Sequence, residues 1–197
     1  HLLQQHRDLP LLLVMLARPA LFERRAGWAD DDPRHRRIDV SPLSDEASNQ
    51  LTEVLLHRMA EVPAVLRAML TSGAEGNPFY LEELIKMLVD DGVIVVDGER
   101  WQVQADKLLA ARVPGTLTGV LQARLDALAP AERGALQHAA LIGHVFWDTA
   151  LAALQPGAPE ALPALLRKEL IVRRDGSAFD DATEYVFQHH LLQQVAY

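Results

Sequence analysis

The chain has 197 residues, with 19 Lys plus Arg against 27 Asp plus Glu, a formal charge of −8 and 49% apolar residues. That length allows one ordinary domain or two small ones with a real core. The acidic balance argues against a general nucleic-acid binder, which needs a basic face, and the absence of Cys excludes disulfide scaffolds and thiolate metal sites.

A chain without Cys suits a reducing, cytoplasmic location. The apolar run Leu11 to Ala17 is too short to span a bilayer and lacks the flanks of a signal peptide. It starts the series of predicted elements. Bounded by Pro10 and by Arg18-Pro19, it reads as a strand buried on both faces. Trp28 to Arg37 is polar, with a local basic cluster at Arg34, Arg36 and Arg37, and reads as a loop. Ile38-Asp39-Val40 reads as a second, shorter strand.

Helices follow. Ser44 caps a helix expected over 45–58, with acidic residues near its positive end. Pro63 opens the next, to about 71, and Gly73 and Gly76 break it. Pro78 starts a third, striped by Phe79, Leu81, Leu84, Ile85 and Leu88 at helical spacing and stopped by Gly92. Val93 to Val96, Asp97-Gly98 and Arg100 to Val103 form a hairpin pattern. Pro114-Gly115-Thr116 leads into a helix with Leu117, Val120, Leu121, Leu125 and Leu128. Pro130 starts another, which stops at Gly143. Short helical stretches are expected over 148–154 and 159–168. Residues 170–174 and 185–187 flank Asp175-Gly176 as paired strands, a small wing, and 189–197 turns helical again.

The chemistry-bearing patterns are mostly absences. There is no Gly-rich loop ending in Lys and Ser/Thr to cradle a triphosphate. No apolar strand runs into a pair of carboxylates that would hold magnesium and activate water. Asp30-Asp31-Asp32 has no strand before it and reads as a solvated loop. The histidines are scattered, His189 and His190 point in different directions on a helix, and no metal site or catalytic constellation is expected. His1 in place of Met, and a last helix without a stop signal, read as cuts within a longer polypeptide.

Several segments in order nevertheless form a pattern. They are the strand ending in Arg18-Pro19, Pro42-Leu43-Ser44, Gly76-Asn77-Pro78-Phe79-Tyr80-Leu81-Glu82-Glu83-Leu84, Val113-Pro114-Gly115-Thr116-Leu117, Ala123-Arg124-Leu125-Asp126-Ala127-Leu128, and Phe187-Gln188-His189 with Ala196-Tyr197. Over essentially the whole length the chain resembles the signal-transduction ATPases with numerous domains. This class includes large bacterial regulators with C-terminal helical repeats, some fused to nucleotide cyclases or DNA-binding domains.

The resemblance implies a mainly α fold. Residues 1–43 would be the terminal strands of an α/β P-loop-type domain and 44–92 a helical lid. Residues 93–115 would be a β-hairpin and linker, and 116–197 a winged helix with a small β wing. It implies that Pro78 packs on adenine, with Gly76 and Asn77 shaping the turn. Arg18 would read the terminal phosphate, ahead of Arg24 and Arg25, and His189 would meet the β-phosphate in the ADP state, with His190 as the neighbouring candidate. Without a ligand, the same residues serve as a chain break, a helix start and a capping histidine.

The nucleotide would be ATP or ADP with magnesium, bound by the parent protein and not tightly by this piece alone. Partners would be an upstream phosphate-loop domain and a downstream effector or helical-repeat domain, with a regulatory oligomer possible. The piece would not be an enzyme, whereas its parent would be a slow ATPase switch. The alternative is a winged-helix module that binds DNA or protein without nucleotide. Arg167 and Lys168 are the only basic residues in 147–168, which disfavours DNA.

Overall fold

Caps and breakers set most element boundaries. The computed structural model describes residues 10, 12–28, 35–98 and 100–197, and divides into units 1–41 and 42–197. It is a mixed α/β fold, mainly helical, with two small open antiparallel sheets.

In the first unit, helix α1 spans Ala20–Arg24 after Pro19. The Arg37 guanidinium lies 3.9 Å over the Phe22 ring, and Arg37 also pairs with Asp39 at 2.7 Å. The expected strands over 11–17 and 38–40 are not formed. Residues 12–18 and 35–41 are irregular, and Leu12, Leu16 and Val40 are 86%, 96% and 92% exposed. The physical reason is that a strand needs a neighbour. Its amides and carbonyls must pair, and no sheet exists among the described residues of this unit. Leu11 and residues 29–34, which include Asp30-Asp31-Asp32 and Arg34, lie outside the described residues.

The second unit begins with α2, Asp45–Leu55, where the Ser44 hydroxyl accepts from the Ala47 amide at 3.2 Å. The helix stops short of residue 58 because the chain is drawn into pairing. The Trp101 amide donates to the Arg58 carbonyl at 3.1 Å, and Met59 bridges Trp101. Helix α3 spans Ala64–Ala74 and ends on two left-handed residues, Glu75 and Gly76. Helix α4 spans Pro78–Asp90, and Gly92 at φ +67° ends it. Strands β1, Ile94–Asp97, and β2, Arg100–Val103, pair antiparallel with Ile94 opposite Val103. A short helix α5, Ala105–Ala110, was not anticipated.

Thr116 caps α6, Leu117–Asp126, by accepting from the Gly119 amide at 3.1 Å. Helix α7, Pro130–Ile142, follows, and the Glu132 carboxylate accepts from the Ala129 amide. Then come β3, Val145–Trp147, α8, Asp148–Leu154, a 3-10 turn, Ala158–Ala161, and α9, Leu162–Arg167. Strands β4, Ile171–Arg173, and β5, Glu184–Phe187, precede α10, His190–Ala196. The sheet order is β3-β5-β4, antiparallel throughout. The wing pairing of 170–174 with 185–187 is present as β4 and β5. Strand β3, which sequence reasoning missed, adds the third member.

Two apolar clusters hold this unit. One gathers Leu56, Leu66, Leu70, Leu81, Leu84, Leu88 and Ile94. The other gathers Leu121, Leu136, Phe146, Leu165, Phe187 and Leu192. Each such side chain, fully buried, contributes about 1.5–3 kcal/mol. Helix α6 serves both, with Val120 in the first cluster and Leu121 and Leu125 in the second.

Candidate functional site

Asn77 caps α4. Its side-chain oxygen accepts from the Phe79 amide at 3.0 Å and the Tyr80 amide at 3.4 Å, and Pro78 occupies the first helical position, where a missing N–H costs nothing. Asn77 and Pro78 are exposed, whereas Gly76 is buried. Gly76 sits at φ +74°, and its carbonyl accepts from the Leu43 amide at 2.8 Å. The close approach that requires glycine here is to the Leu43 backbone.

His189 stands at the N-cap position of α10 on an extended backbone, without a side-chain cap bond, and its exposed imidazole stacks on Phe79 with ring centroids 3.5 Å apart. The turn 76–79 and His189, far apart in sequence, therefore share one surface. His190 instead turns its ring to His144, with centroids 5.5 Å apart and an edge-on geometry. Arg18 is exposed in the first unit, and its carbonyl accepts from the Leu21 amide. Of the five residues singled out, Gly76, Asn77 and Pro78 are consecutive, and the structure brings His189 to Phe79, the next residue along. Sequence reasoning missed Phe79 as the surface on which the histidine rests. It was assigned to the apolar stripe, and its partner lies in a distant helix.

Removal from water, and then the positive charges of His190, Arg174 and His189, push the His144 imidazole below its ordinary value of 6.5. The fold thus favours neutral His144, and the unfolded chain takes up the proton first as pH falls. Stability from this group is full above about 6.5 and is lost below it. The thermal midpoint should fall between pH 7.5 and 5.5 by less in His144→Gln than in the parent. An equal fall in both would show that His144 is not the cause. Glu132, lowered mainly by its bond to Lys168, and Glu184, lowered mainly by its bond to Arg174, act below their ordinary 4.5 and leave that window clear.

Beneath the turn lies a second constellation. Glu83 and Asp90 stand about two turns apart on one face of α4, and both meet Arg124 of α6. The Arg124 Nε donates to Asp90 at 3.1 Å, one terminal nitrogen donates to Glu83, and the other donates to the Lys168 carbonyl at 2.6 Å. The side chains of Arg124 and Glu83 are 1% and 2% exposed. Lys86 bridges Glu83 at 3.1 Å and Glu169 at 2.9 Å. Burial would lower the Lys86 ammonium, but the Glu169 and Glu83 carboxylates outweigh it and raise it. Sequence reasoning left this network unseen. Its available signal was two carboxylates at helical spacing on a face that also carries the apolar Met87.

Two basic residues that flank β4 are paired with carboxylates. Lys168 pairs with Glu132 at 2.8 Å and Arg174 with Glu184 at 2.8 Å. Among the described residues, no three His, Asp or Glu side chains are grouped to hold a metal ion, and no helix is long and apolar enough to cross a membrane. No protein-family model matches the chain, and no curated protein matches it.

Proposed function

We propose that this chain is the non-catalytic part of a multidomain regulatory ATPase, which senses whether ATP or ADP is bound and relays that state to effector domains. The observation that carries this reading is the Phe79–His189 stack. It sets the exposed Asn77-Pro78 turn and an imidazole donor on one surface, as a site for adenine and a phosphate would need. Phosphate can be met by a donor at a helix start, and a proline ring offers a flat apolar face without an N–H. In this reading residues 12–17 and 38–40 become strands only beside the strands of a phosphate-loop domain. The catalytic loop, lysine and magnesium also belong to that domain, so the chain alone should neither hydrolyse ATP nor bind nucleotide in the low-micromolar range.

The test uses the polypeptide that includes the phosphate-loop domain. His189→Ala should lower ADP retention about 5-fold or more and raise effector output, because a contact made only in the ADP state stabilises only that state. Phe79→Ala should act in the same direction by freeing the imidazole. Pro78→Ala should weaken ATP and ADP alike. If His190→Ala alters retention and His189→Ala does not, the nucleotide-facing histidine is His190. If neither has an effect, the nucleotide-sensing reading fails.

A further inference from the structure

The two apolar clusters of residues 42–197 have separate memberships and are joined through α6. Apolar contacts alone would let one cluster loosen while the other holds, because such contacts are not directional. The Arg124 network is directional. Its guanidinium, fully buried, gives one nitrogen to Asp90 and one to Glu83, both on α4 of the first cluster. It gives the third to the Lys168 carbonyl, beside Leu170 of the second cluster. Lys86 of α4 also grips Glu169 in the same turn. Glu169 is held at φ +53°, a left-handed conformation unfavourable for a residue with a Cβ. One strained turn is thus held from two helices, by an ion pair from α4 and by a guanidinium hydrogen bond from α6.

Apolar side chains of similar volume would often serve stability as well as or better than a buried ion pair. What the ions add here is registry. The planar fork is satisfied only when α4, α6 and the 168–169 turn stand in one arrangement. We propose that the Arg124 network is a coupling clamp that makes the two cores open as a single cooperative unit, so that a displacement of α4 is felt in the wing. The proposal is independent of whether the 76–79 turn meets a nucleotide.

Native-state hydrogen exchange tests it. In the parent chain the slowest amides of Leu84 and Leu88 should exchange within about threefold of those of Leu136 and Phe187, as members of one cooperative unit do. In Glu83→Met/Arg124→Met, which leaves neither of these buried charges alone, the two sets should diverge by about tenfold or more. Sets that already diverge tenfold in the parent, or stay within threefold in the double variant, would overturn the proposal. Should the double variant not fold, Lys86→Met cuts the rim of the clamp. It should separate the two sets by about threefold or more, and an unchanged ratio would again overturn the proposal.

Discussion

Arg124→Met should lower the free energy of unfolding by about 3–5 kcal/mol. The loss is not that of one ion pair at a surface, which would be worth little. Glu83 is 2% exposed and would be left with Lys86 as its cationic partner among the described residues. The Lys168 carbonyl would lose its donor, and Asp90, whose side chain is 22% exposed, would turn to water. Arg124→Lys should recover only part of the loss, because an ammonium cannot present the planar fork that reaches three acceptors. Adding Glu83→Met to Arg124→Met should restore stability toward the parent by removing the orphaned charge. Urea unfolding midpoints of the three variants decide the matter. A single variant within about 1 kcal/mol of the parent, or a double variant less stable than the single, would contradict the account.

Gly76→Ala should cost about 2–4 kcal/mol, from two sources that can be separated. The residue sits at φ +74°, and an added Cβ would stand 2.4 Å from the Leu43 carbonyl oxygen and 2.8 Å from the Leu43 nitrogen. Those are backbone atoms, and the Leu43 amide is itself bonded to the Gly76 carbonyl at 2.8 Å, so neither partner can swing aside. Gly98→Ala is the control for strain alone, because Gly98 has φ +55° and an added Cβ there meets nothing within 4 Å. It should cost about 1–2 kcal/mol. Gly115→Ala, in open space without a positive φ, should be near neutral. Equal losses at 76 and 98 would remove the Leu43 contact from the explanation.

The glycine also bears on function. The family resemblance gives Gly76 the part of shaping the turn beside Pro78, and the atoms close to it belong to Leu43 and Pro42. Gly76 therefore anchors the entry to α2 against the end of α3, and the residues of the turn left exposed for a ligand are Asn77 and Pro78. Nucleotide binding lost in Gly76→Ala would accordingly follow from a displaced turn, and Pro78→Ala is the cleaner probe.

Local chemistry determined the helices of residues 42–197. Ser44, Asn77 and Thr116 cap by accepting amides within three residues, Pro63, Pro78 and Pro130 stand at helix starts, and Gly92 and Gly143 stop what precedes them. Such signals act over one turn and need no tertiary partner, so the helices that carry them were legible in the sequence, whereas α5, which has no side-chain cap, was not. The β1–β2 hairpin was legible for the same reason, since its two strands are joined by a tight turn. Tertiary structure decided what depends on distant residues. Val145–Trp147 becomes a strand because β5 pairs with it from far along the chain, while the more apolar residues 12–17 remain irregular, because an apolar run forms a strand only where another backbone bonds to it. His189 reads from sequence as a helix-start histidine, and only the fold lays it on Phe79. Nothing in the sequence marks Glu83 and Arg124 as partners, and only the packing of α4 against α6 makes them a buried pair, because a charge is buried where a matching charge is delivered to it from another element.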